Sequence, residues 1–245
     1  MPWRTSARAE PIASRDVGQN ADMVSLTRRG AVFVLDLGDG DNRFNGPSVD
    51  AIHDALDEIE QVGEPIALVT TASGKIWSNG LDLDWMATSG VDLPAFLGRF
   101  QATMARLLSI PVFSVAAIQG HVFAGGAMFA LAHDTRIMRS DRGWFCLPEI
   151  DLGLPFGEGL GTLNQLKLPQ PALHRLAVMG ERVTGPAALE LGVIDAVASE
   201  ADLVPTAFAC AESLAPRSKP VLARIRRDFY GPAIDALLRP APTPS

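Results

Sequence analysis

Short apolar runs alternate with amphipathic stretches through the first two thirds of the chain, and this alternation predicts its fold. Three almost continuously apolar runs are typical of buried strands: residues 31–37, 65–72 and 110–118. Two stripes at helical spacing predict helices between them, one of Val49, Ile52, Leu56 and Ile59 and one of Phe96, Phe100, Met104, Leu107 and Leu108. A small-residue helix over residues 127–132 and a strand over residues 135–139 follow. Such alternation implies right-handed βαβ units in a mostly parallel sheet.

From Gly159 onward the pattern becomes helical, without an internal repeat or a linker that would divide the chain. Helices are predicted over residues 160–168, 171–179 and 186–191 and from near Leu203 and Ser218, with a short extended piece in "VIDAVAS". We therefore expect a loose N-terminal arm (residues 1–21), a core domain (22–200), C-terminal helices (201–239) and a tail that is disordered by composition (240–245).

The composition is that of an ordinary globular protein, and it excludes several classes of function. Of the 245 residues, 47% are hydrophobic and 20% are charged, and the formal net charge is -7. An acidic chain argues against a nucleic-acid or anionic-membrane partner. No uncharged apolar run approaches the ~18 residues of a membrane span. Cys146 and Cys210 lack the spacing of a zinc site or a disulfide framework, which favours a reducing compartment, most simply the cytoplasm.

Two glycine-containing loops carry candidate chemistry. Gly80 precedes Leu81 in "WSNGLDL", and Gly125 and Gly126 open a helix in "GHVFAGGAM". Glycine lets a ligand approach the backbone closely, and the first N–H groups of a helix are free. Two such N–H groups on neighbouring loops form an oxyanion hole, which stabilises a developing enolate. Each motif taken alone is more typical of packing or of a helix cap.

Four blocks in a fixed order carry a resemblance to a known family: "ALVTTASGKIWSNGLDL", "IPVFSVAAIQGHVFAGGAMFALAHDTRIM", "PEIDLGL" and "GERVTGPAALELGVIDAV". Over residues 24–197 the chain resembles the enoyl-CoA hydratase/isomerase (crotonase) superfamily, closest to its Δ3,Δ2-enoyl-CoA isomerase-like branch. The resemblance implies an α/β fold, a crotonase-like spiral of ββα units with a C-terminal helical region. It also implies a homotrimer or a dimer of trimers, an acyl-CoA thioester as the ligand, and no metal or redox cofactor.

The resemblance also assigns roles to single positions. The backbone N–H groups of Leu81 and Gly125 would form the oxyanion hole, and Glu149 in "PEIDLGL" would carry the proton. Hydratases of the family use a second glutamate, and its position is occupied here by Met128. Arg43 in "DNRFNG" matches a loop that often supplies a contact to the CoA phosphates, and an exposed loop arginine is an equal alternative. Four further residues are expected beside the substrate: Gly80, Asp82, Gly126 and Met128. A loop hydrogen bond is the favoured alternative for Asp82, and a place in the core is the alternative for Met128.

A single glutamate decides between the reactions of the family. Hydration needs a positioned water, a base and a proton donor, and a methionine thioether cannot move protons. Shifting a double bond from C3 to C2 needs one carboxyl group with a raised pKa beside an oxyanion hole. We therefore expect an enoyl-CoA isomerase with Glu149 as the proton shuttle. The alternatives are an enoyl-CoA hydratase and a catalytically silent acyl-CoA binder.

Four other polar residues have a structural interpretation beside a functional one. Glu158 in "FGEG" is either a solvated loop charge or a second carboxylate that enters the pocket. His121 lies beside the second glycine loop, where it contacts substrate or packs the loop. His133 and Asp134 close the small-residue helix, where capping and helix-end electrostatics are favoured.

Overall fold

The computed structural model describes residues 24–240. Its strands are β1 (Ser25–Arg29), β2 (Val32–Asp36), β3 (Arg43–Phe44), β4 (Ala67–Thr71), β5 (Ile76–Ser78), β6 (Gly80–Leu81), β7 (Phe113–Ile118), β8 (His121–Phe123), β9 (Thr135–Arg139), β10 (Phe145–Cys146) and β11 (Ala196–Ala198). Its α-helices are α1 (Gly46–Glu60), α2 (Leu83–Thr88), α3 (Leu93–Ser109), α4 (Gly125–Ala132), α5 (Glu149–Leu152), α6 (Gly157–Lys167), α7 (Gln170–Leu173), α8 (Gly185–Glu190), α9 (Glu200–Leu214) and α10 (Pro220–Leu238). The predicted arm (residues 1–21) lies outside the described residues, as does all of the predicted tail except residue 240.

The strands form a six-stranded sheet, a three-stranded sheet and a two-stranded sheet. In the large sheet the order is β1-β2-β4-β7-β9-β11, and every pair is parallel except β1 with β2. The smaller sheets, β10-β8-β5 and β3-β6, are parallel throughout. The prediction of a mostly parallel α/β fold is therefore confirmed.

Apolar side chains fill both faces of the large sheet. The larger core includes Trp77, Phe100, Phe129 and Leu237, so α10 packs into the same core as α3 and α4. A smaller core lies between the other face of the sheet and α9, with Val69 and Phe208 among its members. All eight residues of α4 are buried, as expected of a helix that is apolar all round.

The N-terminus of α1 is fixed by its own sequence. Asn45 caps the helix through its side-chain oxygen, which accepts from the backbone N–H of Ser48 at 3.0 Å, and the Ser48 hydroxyl accepts in return from the N–H of Asn45. Pro47 occupies the first turn, where its missing N–H costs nothing. The predicted stripe of this helix is buried.

Two predicted elements differ from the structure. The helix predicted over residues 171–179 is instead α7 followed by a π-helical turn, His174–Val178, and apolar periodicity does not reveal that change of hydrogen-bonding pattern. The helix predicted from residue 160 begins at Gly157. No polar side chain caps its N-terminus, so the sequence does not mark where it begins.

His133 is the C-cap residue of α4, as predicted, but it does not contribute the expected helix-end electrostatics. The imidazole is fully buried; its Nδ1–H donates to the Phe129 carbonyl at 2.9 Å, and its Nε2 accepts from the Thr70 hydroxyl at 2.7 Å. Burial lowers the pKa of His133 to about 4, so the ring is neutral at neutral pH. His133 is therefore a hydrogen-bonding core residue.

A buried ion pair connects α10 to the rest of the core. The Arg226 guanidinium, 3% exposed, donates to the Asp134 carboxylate at 2.5 Å and to the carbonyl oxygens of Leu107 and Ile110. Asp134 also accepts from the backbone N–H and the hydroxyl of Ser114. Both charges are thus compensated by hydrogen bonds, which a buried pair requires.

Between residues 24 and 240 no helix is long and apolar enough to cross a membrane. The same residues contain no group of three or more His, Cys, Asp or Glu side chains arranged to hold a metal ion.

Candidate active site

The two glycine loops of the sequence meet at the start of β6 and at the junction of β8 with α4. Gly80 has a φ of +82°, and a Cβ added there would lie 2.8 Å from the backbone nitrogen of Gly125 and 3.0 Å from the Cβ of Ala124. The two segments are therefore in backbone contact, and only glycine at position 80 permits it.

Two backbone N–H groups at this contact are placed to act together. The backbone N–H of Asp82 donates to the carbonyl of Phe44 on β3. Consecutive N–H groups of an extended strand point to opposite edges, and the N–H of Leu81 therefore points away from β3. Gly125 is the first residue of α4, where N–H groups have no partner within the helix. The N–H groups of Leu81 and Gly125 therefore belong to the two segments that are in contact, as the predicted oxyanion hole requires.

Gly126 and Gly80 have packing roles. A Cβ at Gly126 would lie 2.7 Å from both the Cβ and the carbonyl oxygen of Ser78, so glycine allows α4 to approach β5. The Ser78 hydroxyl donates to the Asn42 carbonyl at 2.8 Å and accepts from the N–H of Gly80 at 3.1 Å. These contacts assign both glycines to the support of the loops.

A cavity of about 460 Å³ opens beside the paired loops. Its apolar wall consists of Leu81, Leu83, Phe123, Ala124, Pro148 and Leu152. Its polar lining consists of Arg43, Asn79, Asp84, Asp151 and Arg182. An apolar pocket with a few polar groups and adjacent backbone donors is typical of a small-molecule site.

Glu149 lies directly after Pro148 of the cavity wall and begins α5. The residue is 6% exposed, and its Oε2 is buried without a hydrogen-bond partner among the described residues. Desolvation by burial raises the pKa of Glu149 from 4.5 to about 7. The carboxyl group is therefore about half protonated at neutral pH, the condition in which one group both accepts and donates a proton efficiently.

The position of Met128 provides no second carboxylate. Its side chain, 2% exposed, lies in the larger core. Of the two interpretations of Met128, core or pocket lining, its burial matches the core, and the residues that line the two described cavities do not include it.

Glu158 lies in the first turn of α6 with an exposed carboxylate that pairs with the guanidinium of Arg239. This pairing matches the interpretation of Glu158 as a solvated charge. It holds the carboxylate at the surface rather than in the cavity.

Arg43 lines this cavity and a second one of about 420 Å³, but it is surrounded by acidic side chains. Its guanidinium lies 3.0 Å from Asp41, 3.3 Å from Asp84 and 4.0 Å from Asp82. Asp82 also caps α2, accepting from the N–H of Trp85 at 3.1 Å. A CoA phosphate would have to compete with three carboxylates for this arginine.

The sequence missed several residues of the cavity. Phe123 and Arg182 line it, and the Arg182 guanidinium lies over the Phe123 ring at 5.6 Å. The His121 ring stacks on the Phe123 ring, with the ring centroids 5.4 Å apart. Burial lowers the pKa of His121. Phe123 and Arg182 stand in the quoted blocks without a predicted role, because β8 and the segment before α8 meet only in the folded chain.

Gly80→Ala is expected to lower both stability and ligand binding at the oxyanion contact. The alanine would have a left-handed backbone conformation, which alone costs about 1–2 kcal/mol. In addition, its methyl group would overlap the backbone nitrogen of Gly125. Urea unfolding and acyl-CoA binding measure the two effects. Gly30→Ala is the matched control, since Gly30 has a φ of +58° and nothing within 4 Å of the added methyl group. Equal losses in the two variants would contradict the close contact.

Comparison with known sequences gives one family. The family described as "Enoyl-CoA hydratase/isomerase" matches residues 27–239. Enoyl-CoA delta isomerase 2, peroxisomal, from Arabidopsis thaliana is 35% identical over 221 residues, which cover 85% of this chain and 92% of that protein. Carnitinyl-CoA dehydratase from Escherichia coli K12 is 28% identical over 222 residues, with 86% and 80% covered.

Solved structures agree with this result. A Mycobacterium tuberculosis structure described as an enoyl-CoA isomerase superposes with a TM-score of 0.79 at 26% identity, covering 89% of this chain and 95% of that one. A second structure of the same protein, described as a probable enoyl-CoA hydratase, gives 0.78 at 28% identity, with 88% and 92% covered. The crotonase-like fold predicted from the sequence is therefore confirmed.

Proposed function

Because the chain belongs to the enoyl-CoA hydratase/isomerase family, we propose that it moves the double bond of a 3-enoyl-CoA to the 2-position. The observation that carries the proposal is the buried Glu149 carboxyl group, which follows Pro148 of the cavity wall, has no partner at Oε2 among the described residues and has a pKa of about 7. No second carboxylate on α4 accompanies it. The Arabidopsis relative, which is named as an isomerase, supports this choice.

The proposed reaction uses one carboxyl group twice. The thioester carbonyl oxygen accepts from the N–H groups of Leu81 and Gly125, and the Glu149 carboxylate removes a proton from C2. Electrons from the broken C2–H bond form a dienolate whose oxygen charge the two N–H groups stabilise. The Glu149 carboxylic acid then returns the proton to C4, which leaves a double bond between C2 and C3. Acyl-CoA is the substrate, and the reaction needs no metal or redox cofactor.

The same arrangement disfavours hydration. Adding water across the conjugated double bond requires a group that positions and deprotonates the water while another delivers a proton. The buried Met128 thioether is at most a weak acceptor. Loss of one general acid–base group typically lowers the rate by about 10²–10⁴-fold.

A hydratase is the second candidate, and one observation favours it. The relatives include carnitinyl-CoA dehydratase. A single assay separates the candidates, including a silent binder. The purified protein is given trans-3-enoyl-CoA or trans-2-enoyl-CoA while the absorbance of the conjugated thioester is followed. Appearance from the first substrate supports the isomerase, disappearance of the second supports a hydratase, and binding without either change indicates a silent protein.

The pH dependence of the isomerisation follows from the raised pKa of Glu149. The carboxylate form is needed to remove the C2 proton, so kcat/KM is expected to rise with pH and to reach half its plateau near pH 7. A midpoint near the ordinary glutamate pKa of 4.5 would contradict a desolvated base. The raised pKa of Glu149 also makes the free energy of unfolding depend on pH. The stabilising contribution of this carboxyl group is full below pH 4.5 and is lost as the pH rises through about 7.

The surface around α5 suggests how copies of the chain assemble. Ile150, Leu152, Leu154, Val178 and Met179 are exposed apolar residues, and Ile150 contacts the segment at Gly180. We propose that a second copy covers this face, in line with the homotrimer or dimer of trimers expected from the sequence. The cytoplasm stays a prediction, and the Arabidopsis relative is named as peroxisomal.

A further inference from the structure

Ala124 has a backbone conformation that alanine rarely adopts, at the junction where the two loops of the site meet. Its φ is 51° and its ψ is -127°. Asn42 is the other non-glycine residue of the described chain with a positive φ, and asparagine tolerates that region better than alanine. Strain of this kind persists only where surrounding structure enforces it, and it is concentrated at functional sites.

The folded backbone gives a reason for the conformation but not for the methyl group. The N–H of Ala124 donates to the Cys146 carbonyl at 3.1 Å, and its carbonyl accepts from the N–H of Met128 at 3.1 Å. Glycine would make both hydrogen bonds in the same conformation without the strain. The three other residues at the contact, Gly80, Gly125 and Gly126, have no side chain. The hydrogen bonds therefore do not explain why position 124 carries a methyl group.

Ala124 belongs to the wall of the cavity and adjoins the first glycine loop. The residue is half-buried, and its Cβ is 3.0 Å from the position a Cβ would have on Gly80. A thioester oxygen bound by the N–H groups of Leu81 and Gly125 holds its carbonyl carbon beside Ala124. That carbon carries C2 and the thioester sulfur, and in the orientation that places C2 on the side of Ala124 a branch on C2 is brought against the same wall.

We propose that the methyl group of Ala124 makes the site selective for acyl-CoA thioesters that carry no substituent at C2. The inference rests on the proposed function, because it uses the same oxyanion hole to position the thioester. A CH₂ group at C2 passes the methyl group, whereas a second carbon at C2 meets it. Ala124 is thus a specificity-determining residue.

The test compares two unreactive ligands, hexanoyl-CoA and 2-methylhexanoyl-CoA, by calorimetric titration of the full chain. The wild type is expected to prefer the unbranched ligand, and Ala124→Gly is expected to reduce that preference at least ~10-fold, the usual lower bound for one methyl group in a tight pocket. Ala127→Gly is the control, since Ala127 lies in α4, the helix that Ala124 precedes, and is fully buried and absent from the cavity lining. It is expected to lower stability and to keep the preference.

An unchanged preference in Ala124→Gly, or equal binding of both ligands by the wild type, overturns the proposal. Because neither ligand reacts, the result does not depend on turnover. A protein that shows the preference but fails to isomerise a 3-enoyl-CoA contradicts the proposed function alone. A protein that isomerises but lacks the preference contradicts the specificity proposal alone.

Discussion

Glu149→Gln is expected to lower kcat/KM for isomerisation of a 3-enoyl-CoA by about 10²–10⁴-fold, the usual contribution of a general acid–base group. Glutamine keeps the size and shape of the side chain but neither accepts nor donates a proton at C2 and C4. The carboxyl group forms no hydrogen bond through Oε2 that the variant would break. Affinity for a saturated acyl-CoA and the unfolding midpoint are therefore expected to change little, so the loss should appear in kcat.

Glu158→Gln is the matched control for that variant. Glu158 is the other glutamate that the sequence offered to the pocket, and its exposed carboxylate pairs with Arg239. We expect wild-type kinetics from it, because a surface ion pair contributes little to the fold. A wild-type rate in Glu149→Gln, or a comparable loss in Glu158→Gln, would contradict the single-carboxyl mechanism.

Arg226→Met is expected to lower the free energy of unfolding by about 3–5 kcal/mol, the usual effect of removing one partner of a buried ion pair. Methionine removes the guanidinium that neutralises Asp134 and leaves the carbonyl oxygens of Leu107 and Ile110 without their donor. These groups join α10 to the end of α3, so the variant weakens the packing of the last helix. Urea unfolding followed by tryptophan fluorescence measures the change.

Arg227→Met provides the comparison on the same helix. Arg227 pairs with Asp235 at 2.7 Å, but both side chains are about half exposed, so the pair contributes at most about 1 kcal/mol. Adding Asp134→Asn to Arg226→Met should recover part of the loss, since it removes the uncompensated charge. Equal losses from the two arginine variants would show that the Arg226 pair is not buried in solution.

The sequence predicted the parallel sheet because its strands are continuous apolar runs, and the helices because their apolar stripes repeat with helical spacing. The meeting of the two glycine loops followed from resemblance, and only the backbone contact between Gly80 and Gly125 shows how close they come. Charge compensation was not predictable. Arg43 reaches Asp84, 41 positions away, and Glu158 reaches Arg239, 81 positions away.

Other features leave no trace in the pattern of residue types. Ala124 looks like an ordinary small residue before a helix, because a positive φ is a property of the folded backbone. His133 follows a helix as a capping residue does, but burial keeps it neutral. Burial also raises the pKa of Glu149, and burial depends on residues distant in sequence.

The fate of the C2 hydrogen tests the proposed mechanism most directly. A 3-enoyl-CoA with deuterium at C2 is converted in ordinary water under single-turnover conditions, and the product is analysed by NMR. One shielded carboxyl group that removes and returns the same proton predicts deuterium at C4 of the 2-enoyl-CoA. A product formed at the full rate with only solvent hydrogen at C4, or one with water added at C3, would contradict transfer by Glu149 alone.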